Sequence, residues 1–458
     1  MIFAFVLGGN LCSFVPTRPY PGACGQTFGN HETLNGEFEI MVSGQVKKSG
    51  DRPLRIAFLV RGFPEVSNTF ILSQITGLIE RGHAIDIFAL RSKPFEGSHA
   101  DVARYALDSR MRHLPVPENR LVRLWSAATL LFIHGIRHSE IFSALDPRRF
   151  RGSAWGLTQI HTAASFIRAA GYDVLHCQFG DLGPAGERLV ALGSGRTKLV
   201  TSFRGNDLTC HLSVRPRFFA DLLRRGDLFM PVTRDFHDRL LTFGIPSDRI
   251  VVHRSGINLR RFAVSPRQAP QGATELLFVG RLTEKKGLAY LLDAVSMLVG
   301  SGRDVRLTVI GEGELGPMMR ARCHELGIAD HVSFFGSGTQ EQVVSAMQKS
   351  HILVAPSVTA ANGDQEGIPN VLKEAMATGM PVVSTYHSGI PELVEHGVSG
   401  LLAPERDAMA LAALLTELVD HPESWPSFGA AARRKVEEEY DSERLNDELV
   451  AAYRGLLR

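Results

Sequence analysis

The sequence predicts two α/β domains in tandem, each a parallel sheet with helices on both faces, facing each other across a cleft. Three observations carry this. From residue 54 to about 385, apolar runs of strand length alternate with segments of helical apolar spacing, the pattern of βα units with buried parallel strands. A Pro-, Gly- and Gln-rich break at 258–275 interrupts the alternation, as an interdomain linker does. The charge balance also changes sign near that break. Residues 51–265 hold 30 Lys and Arg against 19 Asp and Glu, and residues 266–458 hold 17 against 26.

The first domain is expected over 51–265. LRIAFLV (54–60) reads as a strand buried on both faces, TFILSQITGLIERGH (69–83) as a helix stopped near Gly82, and AIDIFAL (84–90) as the next strand. Further strands are expected at 173–179, 197–203, 227–232 and 249–253. Residues 1–50 have a short apolar start without a basic leader, then a Gly/Pro/polar tract. They fit a signal peptide poorly and are expected to be a disordered extension, or an over-extended gene start with the native start near Met41. The run 124–136 is too short to span a bilayer and reads as a buried or interfacial helix. The five cysteines are scattered without CxxC spacing, which suits a reducing, cytosolic setting.

The second domain is expected over 266–458, with strands at 275–280, 305–311, 331–336, 351–357 and 381–385. Ligands of open α/β sheets bind at the carboxyl ends of the strands, so the loops after these strands are where function should sit. The first is GRLTEKKG (280–287). Gly280 permits a tight turn, and Arg281 and Lys286 beside a helix start suit a diphosphate; solvated surface charge is the alternative. The second, GEGELG (311–316), matches G-x-G-x-x-G. Glu312 and Glu314 would meet a pyrophosphate with like charge, and the next strand lacks a terminal acid for a ribose, so a nicotinamide enzyme is disfavoured. The third carries EGIPNVLKEAMATG (366–379). Pro369 suits the first helical turn and Gly379 the stop. That places Glu366, Gly367 and Ile368 at the mouth of a helix, where free N–H groups favour an anion, and Glu374 one turn in, able to accept hydrogen bonds from a vicinal diol.

GRLTEKKG, VIGEGEL, DQEGIPNVLKEAMATGMPVVST and SGIPELVEHGVSGLL together resemble the donor half of a family 4 retaining glycosyltransferase of the two-Rossmann GT-B type. FPEVSNTFILSQITGLIERGHAIDIFAL and SFRGNDL resemble the subgroup that makes bacterial exopolysaccharides, including colanic-acid-type enzymes. The resemblance runs from about residue 54 to the end. It implies catalytic roles for Arg281 and Lys286 on the donor diphosphate, and for Glu366 on the donor sugar with the Gly367 and Ile368 amides. It implies that Glu374 holds the ribose and that Gly280, Gly311 and Gly336 lie about the nucleoside. Arg204, Gly205 and His176 are expected at the acceptor side of the cleft, His176 having the alternative of a satisfied buried histidine. The last helix is expected to pack back on the first domain. The resemblance further implies a nucleotide-sugar donor, an undecaprenyl-linked or other saccharide acceptor, no cofactor and no divalent metal, in keeping with the lack of a D-x-D motif.

Three positions depart from the family pattern: Arg204 where His is frequent, and Asn258 and Asn362 where Asp is frequent. The basic first domain suits an anionic partner, and Arg104, Arg110, Arg112, Arg120 and Arg123 before an apolar run suggest a peripheral patch at the inner face of the plasma membrane; a core helix with a charged rim is the alternative. His134 and His138 have i, i+4 spacing but no third ligand. No aromatic-basic pattern for nucleic acid is present. A nucleotide-sugar epimerase and a non-catalytic sugar-nucleotide-binding subunit remain the competing readings.

Overall fold

The computed structural model describes residues 52–63, 69–92, 100–113, 119–135, 160–161, 164, 166, 171–192 and 196–458. The N-terminal extension and residues 136–138 of the paired-histidine motif lie outside the described residues.

Six strands from the first half make one sheet: β1 (Arg55–Phe63), β2 (Ala84–Ser92), β3 (Met111–His113), β4 (Val174–Cys177), β5 (Lys198–Phe203) and β6 (Leu228–Pro231), in the order β3-β2-β1-β4-β5-β6. Six from the second half make another: β7 (Thr274–Val279), β8 (Val305–Ile310), β9 (Val332–Gly336), β10 (Ile352–Val354), β11 (Val382–Thr385) and β12 (Leu401–Ala403), in the order β12-β11-β10-β7-β8-β9. Every ladder is parallel. Counted from its own first strand, each sheet has the doubly wound order 3-2-1-4-5-6. The order therefore reverses between β1 and β4, and again between β7 and β10. Those two switch points are where the loops part to leave a crevice.

Burial explains why the strands lack alternation. Ile56, Ala57, Phe58, Leu59 and Val60 of β1 are all buried, with helices on both faces. The sequence does not predict β3 or β12: β3 is Met-Arg-His, with no apolar run, and β12 is a three-residue Leu-Leu-Ala at the sheet edge. Residues 249–253, expected as a strand, lie beside β6, where Val251 and His253 donate to the carbonyls of Phe229 and Pro231. Only the Phe229–Ile250 bridge forms, because the chain leaves the sheet there to connect the two halves.

At the far end the chain crosses back. Ile257 bridges Asp441, and the helix Ser442–Leu456 follows. Leu449, Val450 and Tyr453 of that helix are buried in the core of the first sheet, and Arg81 binds Asp447 at 2.7 Å.

Candidate active site

A cavity of about 1230 Å³ lies between the carboxyl ends of the two sheets. The loops after β5, β7, β8, β9 and β10 line it, with Arg61 from the end of β1. Close backbone approach holds the loops together. Gly311 has φ +141°, and a Cβ there would stand 1.9 Å from the Gly280 carbonyl oxygen. Gly287 has φ +67°, and its Cβ would stand 1.8 Å from the Pro356 oxygen. Only glycine meets both demands. Gly280 and Gly311 line the cavity. Gly336 does not. It stands behind the wall and accepts the Gly311 N–H at 2.7 Å, while Ser337 and Gly338 supply the surface.

The cationic end is built by the 3₁₀ turn Glu284–Lys286, which brings two adjacent lysines to one carboxylate. Glu366 Oε1 lies 3.2 Å from Lys285 Nζ and 3.3 Å from Lys286 Nζ, and Lys285 also reaches Asp364 at 3.0 Å. Burial alone would raise the Glu366 carboxyl, but the ammonium groups of Lys286 and Lys285 overcome it and bring it down to about 2. Arg281 lines the same wall and is exposed, with no ion-pair partner among the described residues. Three cations thus face two carboxylates, and Arg281 is the uncompensated one. The Gly367 and Ile368 amides have no protein acceptor among the described residues, which leaves them as donors at the cavity wall.

The loop that carries Glu366 is braced from behind. The Glu366 amide donates to His387 Nε2 at 3.1 Å, so His387 carries its proton on Nδ1 and donates it to Glu405 at 2.5 Å. Glu405 also accepts the Thr359 amide at 2.8 Å. Neither Lys285 nor this brace was read from the sequence. Lys285 had a signal in the EKK run, whereas His387 and Glu405 had none, because their role depends on contacts far along the chain.

Pro369 proves to be the N-cap, and the helix runs Asn370–Ala377 with Gly379 beyond it at φ +73°. Glu374 is buried, lines the cavity and accepts from Gln340 Nε2 at 3.3 Å. Burial raises its carboxyl, against the pull of Gln340 and Lys373. Glu366 and Glu374 therefore share one cavity but differ in surroundings: the first is ringed by cations, the second is nearly dehydrated.

Arg204 forms the opposite wall. Its Nε donates to the Gln178 carbonyl at 3.0 Å, Nη2 to Gln178 Oε1 at 2.8 Å and Nη1 to Ser255 Oγ at 2.5 Å. The guanidinium also stacks 4.3 Å from the Phe70 ring centre. Burial pulls it down to about 10, so it stays charged at neutral pH. Gly205 lines the cavity, and a Cβ there would meet the Gln365 oxygen at 3.0 Å. His176 is not in the cleft. It is fully buried, bonded to Tyr453 Oη at 2.6 Å and Ser202 Oγ at 2.8 Å. Burial and the Arg204 charge keep it neutral. Its place at the middle of the sheet explains this, since the helix Ser442–Leu456 covers that face.

The comparisons with known proteins meet this geometry. Residues 261–435 match the family model described as Glycosyl transferases group 1, and residues 67–261 match Glycosyltransferase Family 4. Over 403 residues the chain is 35% identical to WcaL of Salmonella typhimurium, named a colanic acid biosynthesis glycosyltransferase, with 87% of this chain and 99% of that one covered. The chain belongs to this glycosyltransferase family. It is also 34% identical over 396 residues to the amylovoran biosynthesis glycosyltransferase AmsK of Erwinia amylovora, covering 85% of this chain and 96% of that one. Among solved structures, Anabaena HepE in complex with UDP and glucose has a TM-score of 0.64 at 16% identity, covering 88% of this chain and 100% of that one. Sucrose-phosphate synthase from Thermosynechococcus elongatus has a TM-score of 0.67 at 19% identity, covering 88% and 99%. These likenesses show the shared two-sheet GT-B fold.

One residue of the glycosyltransferase site has a testable cost. Lys373 is buried, its Nζ donating to the Ser255 carbonyl at 2.7 Å. Burial, with the Arg204 charge added and Glu374 opposing, lowers it to about 7. Between that value and an unfolded pKa of roughly 10.4, the unfolded chain binds more protons, so this group's contribution to stability rises with pH. The melting temperature of Lys373→Met relative to wild type is therefore expected to fall by about 3 °C or more between pH 7 and pH 10. Scanning calorimetry at those pH values checks it; a constant difference rejects the buried-ammonium account.

Proposed function

We propose that this glycosyltransferase moves a hexose from a nucleotide sugar to a saccharide acceptor in exopolysaccharide synthesis, with retention of the anomeric configuration and without a divalent metal. The observation that carries it is the Lys285–Lys286 pair on Glu366, with Arg281 on the same cavity wall and the Gly367 and Ile368 amides without a protein acceptor among the described residues. A departing nucleoside diphosphate gains negative charge as the glycosidic bond breaks, and preorganised cations and backbone N–H groups stabilise it. Glu366, ionised between its lysines, stands where it can stabilise positive charge on the sugar. The diphosphate itself accepts the proton of the attacking hydroxyl, on the same face that it leaves. Glu374, with Gln340, holds the ribose hydroxyls. The names of WcaL and AmsK support an exopolysaccharide product, and the UDP and glucose bound by HepE make UDP-sugars the first donors to try.

The test is a transfer screen across UDP-, GDP-, ADP- and dTDP-sugars with lipid-linked acceptors, reading the anomeric configuration of the product. Donor turnover without an acceptor would favour an epimerase, and nucleotide binding without turnover a silent subunit. Glu374→Ala is expected to weaken nucleoside diphosphate binding by about tenfold, the worth of one or two hydrogen bonds. Calorimetric titration checks this, and unchanged affinity would remove the ribose role.

The acceptor half has a further feature. On the helix Arg120–Gly135, Leu121, Leu124, Trp125 and Phe132 are exposed, Trp125 at 75% and Phe132 at 77%. Arg120 lies beside them, whereas Arg112 is paired with Asp86 at 3.0 Å. Among the described residues no helix is long and apolar enough to cross a membrane. We propose a peripheral contact of this helix with an anionic bilayer, where a lipid-linked acceptor resides. Replacing Trp125 and Phe132 together by serine is expected to lower co-sedimentation with phosphatidylglycerol vesicles by about tenfold. Equal co-sedimentation would exclude this helix as the contact.

A further inference from the structure

Lys373 lies on a helix whose residues Val371–Ala377 are all buried, and it is itself 1% exposed. A methionine would pack there without losing hydration, whereas an ammonium must give up its water. Among the described residues its Nζ makes one hydrogen bond, to the Ser255 carbonyl, and no ion pair. Arg204 is held on the same residue through Ser255 Oγ. Its other side-chain acceptors, the Gln178 carbonyl, Gln178 Oε1 and Gln74 Oε1 at 3.5 Å, are neutral.

The carboxylates whose charge reaches these two cations are engaged elsewhere. Asp207 accepts the amides of Gly180, Arg204 and Gly205 at 2.7, 3.0 and 2.8 Å, and Glu374 is bound by Gln340. Tyr440 closes the wall beside them. It is fully buried, its ring centre lies 5.9 Å from Lys373 Nζ, and its hydroxyl interacts with Arg254. Arg204, Ser255, Lys373 and Tyr440 all line the cavity. Two dehydrated cations on one residue repel each other, and an anion between them relieves both the repulsion and the unmet donors.

We propose that Arg204 and Lys373 form a subsite for an acidic group, a carboxylate or phosphate, carried by a substrate in addition to the nucleotide diphosphate. Uncommitted hydrogens on Arg204 Nη1 and Lys373 Nζ are its donors. The subsite rests on the reading of the cavity as a nucleotide-sugar site and deepens it by naming a charged substrate. The acidic group has two possible sources: the carboxylate of a hexuronate donor, or a uronate or phosphate on the acceptor glycan.

The experiment uses the full chain and has two arms. In the donor arm, UDP-glucose is titrated against UDP-glucuronate, and GDP-mannose against GDP-mannuronate. In the acceptor arm, oligosaccharides ending in a neutral hexose are compared with those ending in glucuronate or a hexose phosphate. The acidic member of one arm is expected to be favoured by about tenfold or more in Kd or KM, as a charge-assisted contact provides. Lys373→Met is expected to erase that preference, with the neutral member of each arm measured on the same variant as the reference for any general change in affinity. Equal handling of acidic and neutral partners in both arms overturns the subsite, as does a preference that survives Lys373→Met. Failure of the wild type to bind UDP or GDP would remove the nucleotide-sugar reading instead. The subsite is then decided by free glucuronate and inorganic phosphate: a thermal shift in wild type lost in Lys373→Met supports it, and no shift overturns it.

Discussion

Arg281→Ala and Lys286→Ala are each expected to cut transfer by about tenfold to a thousandfold, or roughly 1.4 to 4 kcal/mol of transition-state stabilisation. The structure distinguishes the two. Arg281 is exposed at the cavity wall with no ion-pair partner among the described residues. Its removal leaves no orphaned charge, so the fold should be untouched and the loss should appear in kcat more than in the affinity for free nucleoside diphosphate. Lys286 is tied to Glu366, and its removal leaves that carboxylate with Lys285 alone. A loss in both kcat and nucleotide affinity is expected there. Steady-state kinetics with the identified donor, alongside calorimetric binding of the nucleoside diphosphate, separates these outcomes. Near-normal rates for both variants would sink the diphosphate assignment.

Glu366→Gln is expected to lower kcat by about a hundredfold, because a neutral amide no longer stabilises a cationic sugar or neutralises the lysine pair. It also predicts a pH signature. The folded carboxyl lies at about 2, below an unfolded value of roughly 4.3. A depressed carboxyl contributes stability that is fully present above the unfolded value and lost as pH falls through the folded one. That contribution, on the order of 3 kcal/mol at neutral pH, should make wild type more stable than Glu366→Gln at pH 6. The gap should close as pH falls from 4 toward 2. Denaturant unfolding across that range measures it. A wild-type kcat would remove the catalytic role of Glu366, and a stability gap independent of pH would show that the lysines do not hold it ionised.

Much of the site was readable because parallel sheets put ligand-binding residues at strand ends. Arg281, Lys286, Glu366 and Glu374 follow β7 and β10 in the sequence, and the structure brings all four to one cavity. The sequence does not single out Lys285, because a loop does not say which of two adjacent lysines faces inward; the 3₁₀ turn lets both do so. His387 stands 21 residues from Glu366 and reaches its amide only because β11 pairs beside β10. His176 had two readings, a cleft residue or a satisfied buried histidine, and the structure gives the second. A polar residue at a strand end suggests a cleft, but the returning C-terminal helix seals that position.

What the sequence determined by itself was periodic and local: which runs are buried strands, where loops begin, and where glycine must allow backbone to meet backbone. Burial on both faces erases alternation, and a helix start exposes N–H groups, so these facts are written in neighbouring residues. The tertiary structure alone decided charge and hydration. Glu366 became a firm anion and Lys373 an ammonium at the edge of neutrality because of residues tens to hundreds of positions away. A pKa depends on water excluded and charges within a few ångströms, and no sequence period encodes either.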